Sequence, residues 1–399
     1  MNKRWAALAL AAVLLLSASR AFALTEDQAA RANSYFAGMF DRAEVVSGGV
    51  LVTRQGQRVY SFFWGGQSKS AAHPVTEKTV FKVASVTKLI AAVGVMQLVE
   101  EGKLSLDAPL CRSDGTPIRN PRYPNKDVTL RQAMSHTTSL LPAAPYIGAP
   151  RWERIDETDK TYFSSAAPGS AYAYANLNGG ILCSEIERAT GQNFNTYMTE
   201  QIFEPLGINA SFSAHLLPDP TRLANTYDPQ GLVYQSAARY IELDAAEYDP
   251  ACDPASHYRA SVGGLYISLE GLEKIGVALA GNGTADGVRL LSPGSVRLMR
   301  QDQSLLPGSS VTGQSPYGLC TYRVEIEGRV WYGHQGRWEG LLADLFYEPE
   351  SETVVVFVMN GLAVSFSGKE IATRPERAIA YVSRWIEDAQ PSFVVVEGE

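Results

Sequence analysis

The sequence predicts an α+β fold: an antiparallel β-sheet flanked by helices, joined to an all-helical lobe. Three observations predict it. Alternating or short continuous apolar runs cluster at both ends of the 399-residue chain, over residues 48–53 and 59–64 and again from 317 to 359. The stretch between, from Leu104 to about Ala260, is rich in Pro and Asp loops with short helical patterns. A long apolar-periodic segment, 89–101, ends at Gly102 and marks the passage from one region to the other. Strands from the two termini are expected to share one sheet, with the middle of the chain as the second lobe.

The first 23 residues read as a secretory signal. Lys3 and Arg4 form the basic n-region, residues 6–16 the apolar core, and Ala21-Phe22-Ala23 the small-x-small cleavage site. The apolar run is short for a membrane span and no other segment is longer, so no stable span is expected once the signal is removed. Residues 24–399 then form a single domain, with an α/β lobe over about 24–80 and 265–399 and a helical lobe over about 81–264. Export places the protein in a periplasm or outside the cell. The whole chain carries a net charge of −7, and cleavage removes Lys3, Arg4 and Arg20 without any acid. No basic stripe remains, which argues against a nucleic-acid partner.

In order, the pattern gives a helix over 26–42, a hairpin of strands 48–53 and 59–64 turning at Gln55-Gly56, and then the long apolar helix. Helices follow over 128–134, 178–190 with Gly191 as its stop, 194–202 and 265–280. Strands are expected over 317–327, 329–333, 340–347 and 353–359, and a last helix over 374–387. An oxidising compartment allows the four cysteines up to two disulfides. Cys320 falls in a strand pattern and Cys183 in a helical one, so both read as buried thiols. Cys111 and Cys252 lie in polar loops and are the expected bridge. No Cys/His cluster has zinc-ligand spacing, and neither metal nor cofactor is implied.

Ser85-Val86-Thr87-Lys88 stands at the mouth of the long helix. A serine and a lysine three residues apart at a helix start share one face, about one turn apart. The N-terminus adds partial positive charge and free N–H groups beside the hydroxyl, an environment suited to a nucleophile and to an oxyanion. Such a serine needs a proton acceptor. The five histidines sit in no recognisable serine-protease context, and no Gly-x-Ser-x-Gly elbow exists. Lys88 can serve if its amine is desolvated or shares a proton with a phenol. Tyr174-Ala175-Asn176, between the Pro168-Gly169 turn and a helix start, supplies one, with Asn176 as an amide donor to substrate. Tyr123-Pro124-Asn125 has the same spacing but reads as a Pro-fixed surface turn. His334-Gln335-Gly336-Arg337 is the third candidate, a Gly-bearing strand edge that lets substrate approach. The Arg337 N–H, with that of Ser85, is expected to form the oxyanion hole, and its guanidinium is a candidate ligand for a substrate carboxylate. His136, in Ser135-His136-Thr137, reads as a loop-ordering residue.

These three motifs, in this order, resemble those of the penicillin-recognising serine hydrolases, the group of class C β-lactamases, certain D-alanyl-D-alanine peptidases, D-amino-acid amidases and β-lactamase-like (family VIII) carboxylesterases. The similarity extends through Thr79 to Lys88, Glu101-Gly-Lys-Leu-Ser-Leu-Asp107, Ser135-His-Thr137, Pro205-Leu-Gly207, Ser261-Val-Gly-Gly264 and Gly333-His-Gln-Gly336, over about residues 28–388. It implies a β-lactamase/transpeptidase-like fold and an acyl-serine intermediate. Ser85 becomes the nucleophile, Lys88 its proton-handling partner and Tyr174 the general base. Asn176, His334, Gln335, Gly336 and Arg337 become the substrate-binding set. His334 stands where class C β-lactamases carry Lys, and Ala175 where Ser is common; both turn the expectation away from efficient β-lactam hydrolysis. The expected partner is a small-molecule or peptide substrate, such as a peptidoglycan stem peptide. D-alanyl peptides, D-amino-acid amides, β-lactams and small carboxylic esters compete, and a non-catalytic scaffold of the same fold is the alternative of another class.

Overall fold

A computed structural model describes residues 24–69, 72–112, 115–142, 162–254, 257–303, 317–362 and 374–388. The signal-like stretch 1–23 lies outside them.

Helix α1 (Glu26–Arg42) starts at a Thr25 capping box with Gln28 and buries Ala32, Phe36, Met39 and Phe40, residues spaced to form one stripe. Strands β1 (Ser47–Arg54) and β2 (Gln57–Gly65) follow as the expected hairpin, and β3 (Val80–Lys82) leads into helix α2 (Val86–Glu100). Helix α3 (Asn176–Thr190) ends at Gly191, whose φ of 68° is the left-handed cap that glycine adopts freely. Strand β4 (Tyr266–Ser268) runs into helix α4 (Leu269–Ala280), and the chain closes with β5 (Tyr322–Ile326), β6 (Arg329–Trp338), β7 (Leu341–Glu348), β8 (Thr353–Asn360) and helix α5 (Arg374–Asp388).

The main sheet has six strands in the order β5-β6-β7-β8-β1-β2, every neighbouring pair antiparallel. The adjacent strands β8 and β1 come from opposite ends of the chain, as expected. The register Val50↔Phe357 and Val52↔Val355 zips them together. One face packs on α1 and α5 through Phe36, Phe40, Val50, Phe346 and Val382. The other packs on α4 through Leu51, Val356, Leu345 and Leu272, and that same core runs on through α2 into α3. Both faces are covered, so β8 can be the uninterrupted apolar run Val354-Val-Val-Phe-Val-Met359. Helix α2 is apolar nearly all round and buried throughout its first three turns, a central post rather than an amphipathic surface helix.

Several expectations are corrected. The 265–280 helix begins only at Leu269, because Tyr266–Ser268 pairs with both β3 and Ala210–Ser211 in a three-stranded sheet. The 317–327 strand is broken: Cys320 takes φ 49° and donates its N–H to Met134 O, so β5 starts at Tyr322. Strand β6 runs five residues past its expected end, through Trp338. Helices Ala237–Glu247 and Pro293–Arg300 were not read from the sequence. The Cys111–Cys252 bridge is not formed. Both are free thiols, Cys111 Sγ against Pro109 O at 3.5 Å and Cys252 Sγ against Glu187 O at 3.5 Å.

Candidate active site

Ser85 is reached through Ala84, which holds φ 45°, a left-handed turn that swings the chain from β3 into α2. Ser85 is the N-cap residue, yet its hydroxyl makes no capping bond. The first turn closes on other atoms, with Val86 N–H on Val83 O and Lys88 N–H on Ser85 O. The oxygen is thereby left to its side-chain neighbour. Lys88 Nζ lies 3.0 Å from Ser85 Oγ, 3.1 Å from Asn176 Oδ1 and 2.7 Å from Val262 O.

Two of those contacts are pure acceptors. A neutral amine donates its two N–H bonds to Val262 O and Asn176 Oδ1, which turns its lone pair toward the Ser85 hydroxyl. Neutrality is within reach, because Lys88 is fully buried and desolvation lowers its pKa to about 7. If this amine accepts the serine proton, kcat/KM for an ester should rise with pH through an apparent pKa near 7 and then level. The sign follows from the amine: below that value it is protonated and cannot accept. A pH–rate profile with an acid optimum would refute the assignment.

Room for the lysine is made on α3. A Cβ on Gly179 would lie 2.6 Å from Lys88 Cε, so only glycine lets the stem pass. The Gly179 carbonyl accepts from Ser261 Oγ at 2.7 Å, which ties α3 to the segment whose Val262 carbonyl holds the amine. We expect Gly179→Ala to push Lys88 off line and lower kcat/KM by on the order of 10²-fold, read by ester hydrolysis in protein whose circular dichroism is unchanged. Wild-type kinetics in that variant would show the lysine position to be immaterial.

Tyr174 immediately precedes α3 and its N-cap, Ala175. Its ring centroid is 5.3 Å from Lys88 Nζ and 4.1 Å from the ring of His136. Distant segments thus bring Ser85, Lys88, Tyr174 and Asn176 together. The duplicate tripeptide does not compete, because Tyr123 gives its hydroxyl to Ser165 O in a surface turn. His136 orders its loop, as expected: its carbonyl accepts from Ala173 N–H at 2.9 Å and its Nδ1 from Ala175 N–H at 3.2 Å.

Strand β6 supplies the facing wall. The two-residue turn Glu327-Gly328 makes Ile326 and Arg329 a hydrogen-bonded pair. By alternation the N–H and C=O of residues 331, 333, 335 and 337 point the same way, toward β5. Pairing with β5 stops at Gly333, so the main-chain groups of Gln335 and Arg337 face an open edge. Gly336 turns its side-chain position onto Val83 O and Ser85 N, with a built Cβ 2.1 and 3.2 Å away. Any larger residue would push β6 off the helix start.

The side chains of this motif depart from expectation. Gln335 and Arg337 lie on the sheet face opposite Gly336, and Arg337 Nη2 donates to Gln335 Oε1 at 3.0 Å. The guanidinium is thus engaged by Gln335, while Arg337 is also among the residues that line the cavity beside Ser85. His334 is on the Ser85 side but 1% exposed. Its Nδ1 donates to Gln335 O at 2.7 Å and its Nε2 accepts from Tyr317 OH at 3.1 Å. Burial and the nearby lysine push its pKa down to about 3, so it is neutral. Sequence reasoning missed Val262, Gly179 and Tyr317. Ser261-Val-Gly-Gly264 was noticed, but no pattern announces that a carbonyl there will meet a lysine 174 residues away.

A cavity of about 420 Å³ opens beside Ser85, with Asn176, Phe212, Asp244, Arg259 and Trp338 among its walls. Among the described residues no His/Cys/Asp/Glu group is arranged to hold a metal, and no helix is long and apolar enough to cross a membrane.

Comparison with known proteins adds three kinds of likeness. A family model described as Beta-lactamase matches residues 32–376. The chain is 30% identical over 222 residues to esterase EstB of Burkholderia gladioli, covering 50% of this chain and 54% of that one. It is 30% identical over 171 residues to the D-alanyl-D-alanine-carboxypeptidase/endopeptidase AmpH of Escherichia coli, covering 41% and 44%. These matches span about half the length of either relative. Among solved structures, a β-lactamase/D-alanine carboxypeptidase from Pseudomonas syringae superposes with a TM-score of 0.66 at 17% identity, over 90% of this chain and 98% of that one.

Proposed function

Because this chain belongs to the β-lactamase family, we propose that it is an exported serine hydrolase that cleaves an amide or ester through an acyl-serine intermediate at Ser85. The observation that carries the reading is the fully buried Lys88 amine, lowered to about 7 and 3.0 Å from Ser85 Oγ. In the proposed cycle Lys88 takes the serine proton as Oγ attacks the substrate carbonyl carbon. The oxyanion sits between the N–H groups of Ser85 and Arg337. As the C–N or C–O bond breaks, a proton relayed through Tyr174 goes to the departing amine or alcohol. Water then attacks the acyl-serine, gives its proton back through the same groups, and releases the acid.

Within that class the site favours a small carboxylic ester or a D-amino-acid amide, with a D-alanyl peptide next. A β-lactam carries a carboxylate beside the scissile bond. Along β6 the two candidates to receive it are a buried neutral His334 and an Arg337 guanidinium already bonded to Gln335 Oε1. A class C-like β-lactamase is therefore the second reading. The open edge of β6 suits an extended peptide or amide backbone. Export rests on residues 1–23 alone.

The test is a panel of a short-chain ester, a D-amino-acid amide, a D-Ala-D-Ala peptide and a cephalosporin, with intact mass measured after an activated ester and a fluorescent penicillin. Acyl mass on Ser85 with fastest turnover of the ester or amide is expected. A cephalosporin turned over faster than both would select the β-lactamase. Neither turnover nor adduct would leave the non-catalytic scaffold.

A further inference from the structure

We infer that His136 is a positioning residue for Tyr174, holding the phenol against Lys88 by gripping the backbone on both of its sides. The inference rests on the proposed role of Tyr174 in acyl transfer. The N–H groups of the two residues flanking Tyr174 both end on this one histidine, Ala173 on its carbonyl and Ala175 on its Nδ1. Its ring lies against the Tyr174 ring, centroids 4.1 Å apart and tilted by 31°. A single residue thus fixes the tyrosine before and after its Cα and along its ring.

The hydrogen bonds also fix the state of the imidazole. A backbone N–H can only donate, so Nδ1 is an acceptor and the ring proton is on Nε2. Asn178 agrees: its Oδ1 accepts from Thr138 Oγ1 at 2.8 Å, which leaves its Nδ2 to donate to the same Nδ1 at 3.2 Å. Burial, with Lys88 and His334 nearby, holds the pKa of this ring well below the usual histidine value, so the acceptor persists. A protonated ring would carry hydrogen on Nδ1 and lose Ala175. The backbone points the same way. His136 takes φ 54°, where glycine would rest without strain, so the position keeps a side chain at a conformational cost.

The test is a kinetic cycle on the full-length protein with an ester substrate, well below the melting temperature of each variant. His136→Leu should lower kcat by on the order of 10²-fold with KM within about threefold, the signature of a misplaced proton carrier. In the Tyr174→Phe background the same substitution should cause no further loss, because the group it positions is gone. His136→Asn, whose Oδ1 stands where Nδ1 stood, should recover most of kcat, and His136→Gln, whose oxygen reaches too far, should not. Should the leucine variant fail to fold, the asparagine and glutamine pair decides alone. Additive losses in the double variant, full kcat in His136→Leu, or equal activity of the Asn and Gln variants would each overturn the inference. Full activity of Tyr174→Phe by itself would instead overturn the role assigned to the tyrosine.

Discussion

Ser85→Ala should abolish hydrolysis of an activated ester, by on the order of 10⁴-fold or more in kcat, and remove all covalent adduct. The expectation follows from the lysine: Ser85 Oγ lies 3.0 Å from a fully buried amine lowered to about 7, whereas Ser213, the other serine of the cavity, has His215 Nδ1 at 2.8 Å. His257 also lines the cavity, but its Nδ1 is bound to the buried carboxylate of Glu187 at 2.8 Å. The variant should fold normally, because the serine oxygen caps nothing and its removal leaves the first turn of α2 intact. Melting close to wild type together with lost turnover would separate chemistry from structure. Retained turnover in pure Ser85→Ala protein would end the acyl-serine reading.

Lys88→Met carries the second large effect, and here activity and stability should move apart. We expect kcat/KM to fall by on the order of 10³-fold, the scale of losing a general base. Yet the wild-type protein is destabilised by burying this amine. Its folded pKa, about 7, is below the 10.5 of an ordinary lysine. Below pH 7 both folded and unfolded lysine are charged, and folding bears the full desolvation, on the order of a few kcal/mol by the pKa difference. As pH rises from 7 toward 10.5 the unfolded chain holds a proton that the folded one has released, so wild-type stability climbs. Methionine removes this dependence while leaving Val262 O and Asn176 Oδ1 without their donor. The Tm of the variant relative to wild type should therefore be most favourable at acid pH and decline as pH rises. A difference in Tm that does not change with pH would mean the amine is not desolvated. The pairing of lost function with relieved strain is the usual mark of a site kept at a cost in stability.

Much of the fold was legible because periodicity reports burial. The unbroken runs of β1 and β8 and the all-round apolar α2 each state how many of their faces are covered. The errors fall where tertiary partners override local pattern. Tyr266–Ser268 continues the apolar period of α4 but is recruited into a small sheet by β3. Cys320 continues the alternation of β5 but is bent away by its bond to Met134 O. The cysteine pairing failed for a similar reason: loop composition says which thiols are near the surface, not which are near each other.

Residue order alone was enough to point at Ser85 with Lys88, since one turn of helix fixes their relation whatever surrounds them. It also announced Tyr174-Ala175-Asn176 and His334-Gln335-Gly336 as companions, through their resemblance to a known set. Chain folding alone decided what each atom faces. The carbonyl of Val262 and the missing side chain of Gly179 set the lysine lone pair, the start of β5 opposite Gly333 left the edge of β6 open beyond it, and Gln335 Oε1 engaged the Arg337 guanidinium. The reason is one of range. Local spacing constrains neighbours within a few ångströms along a helix or strand, whereas desolvation, proton position and access depend on atoms that the sequence separates by a hundred residues and packing brings within three ångströms.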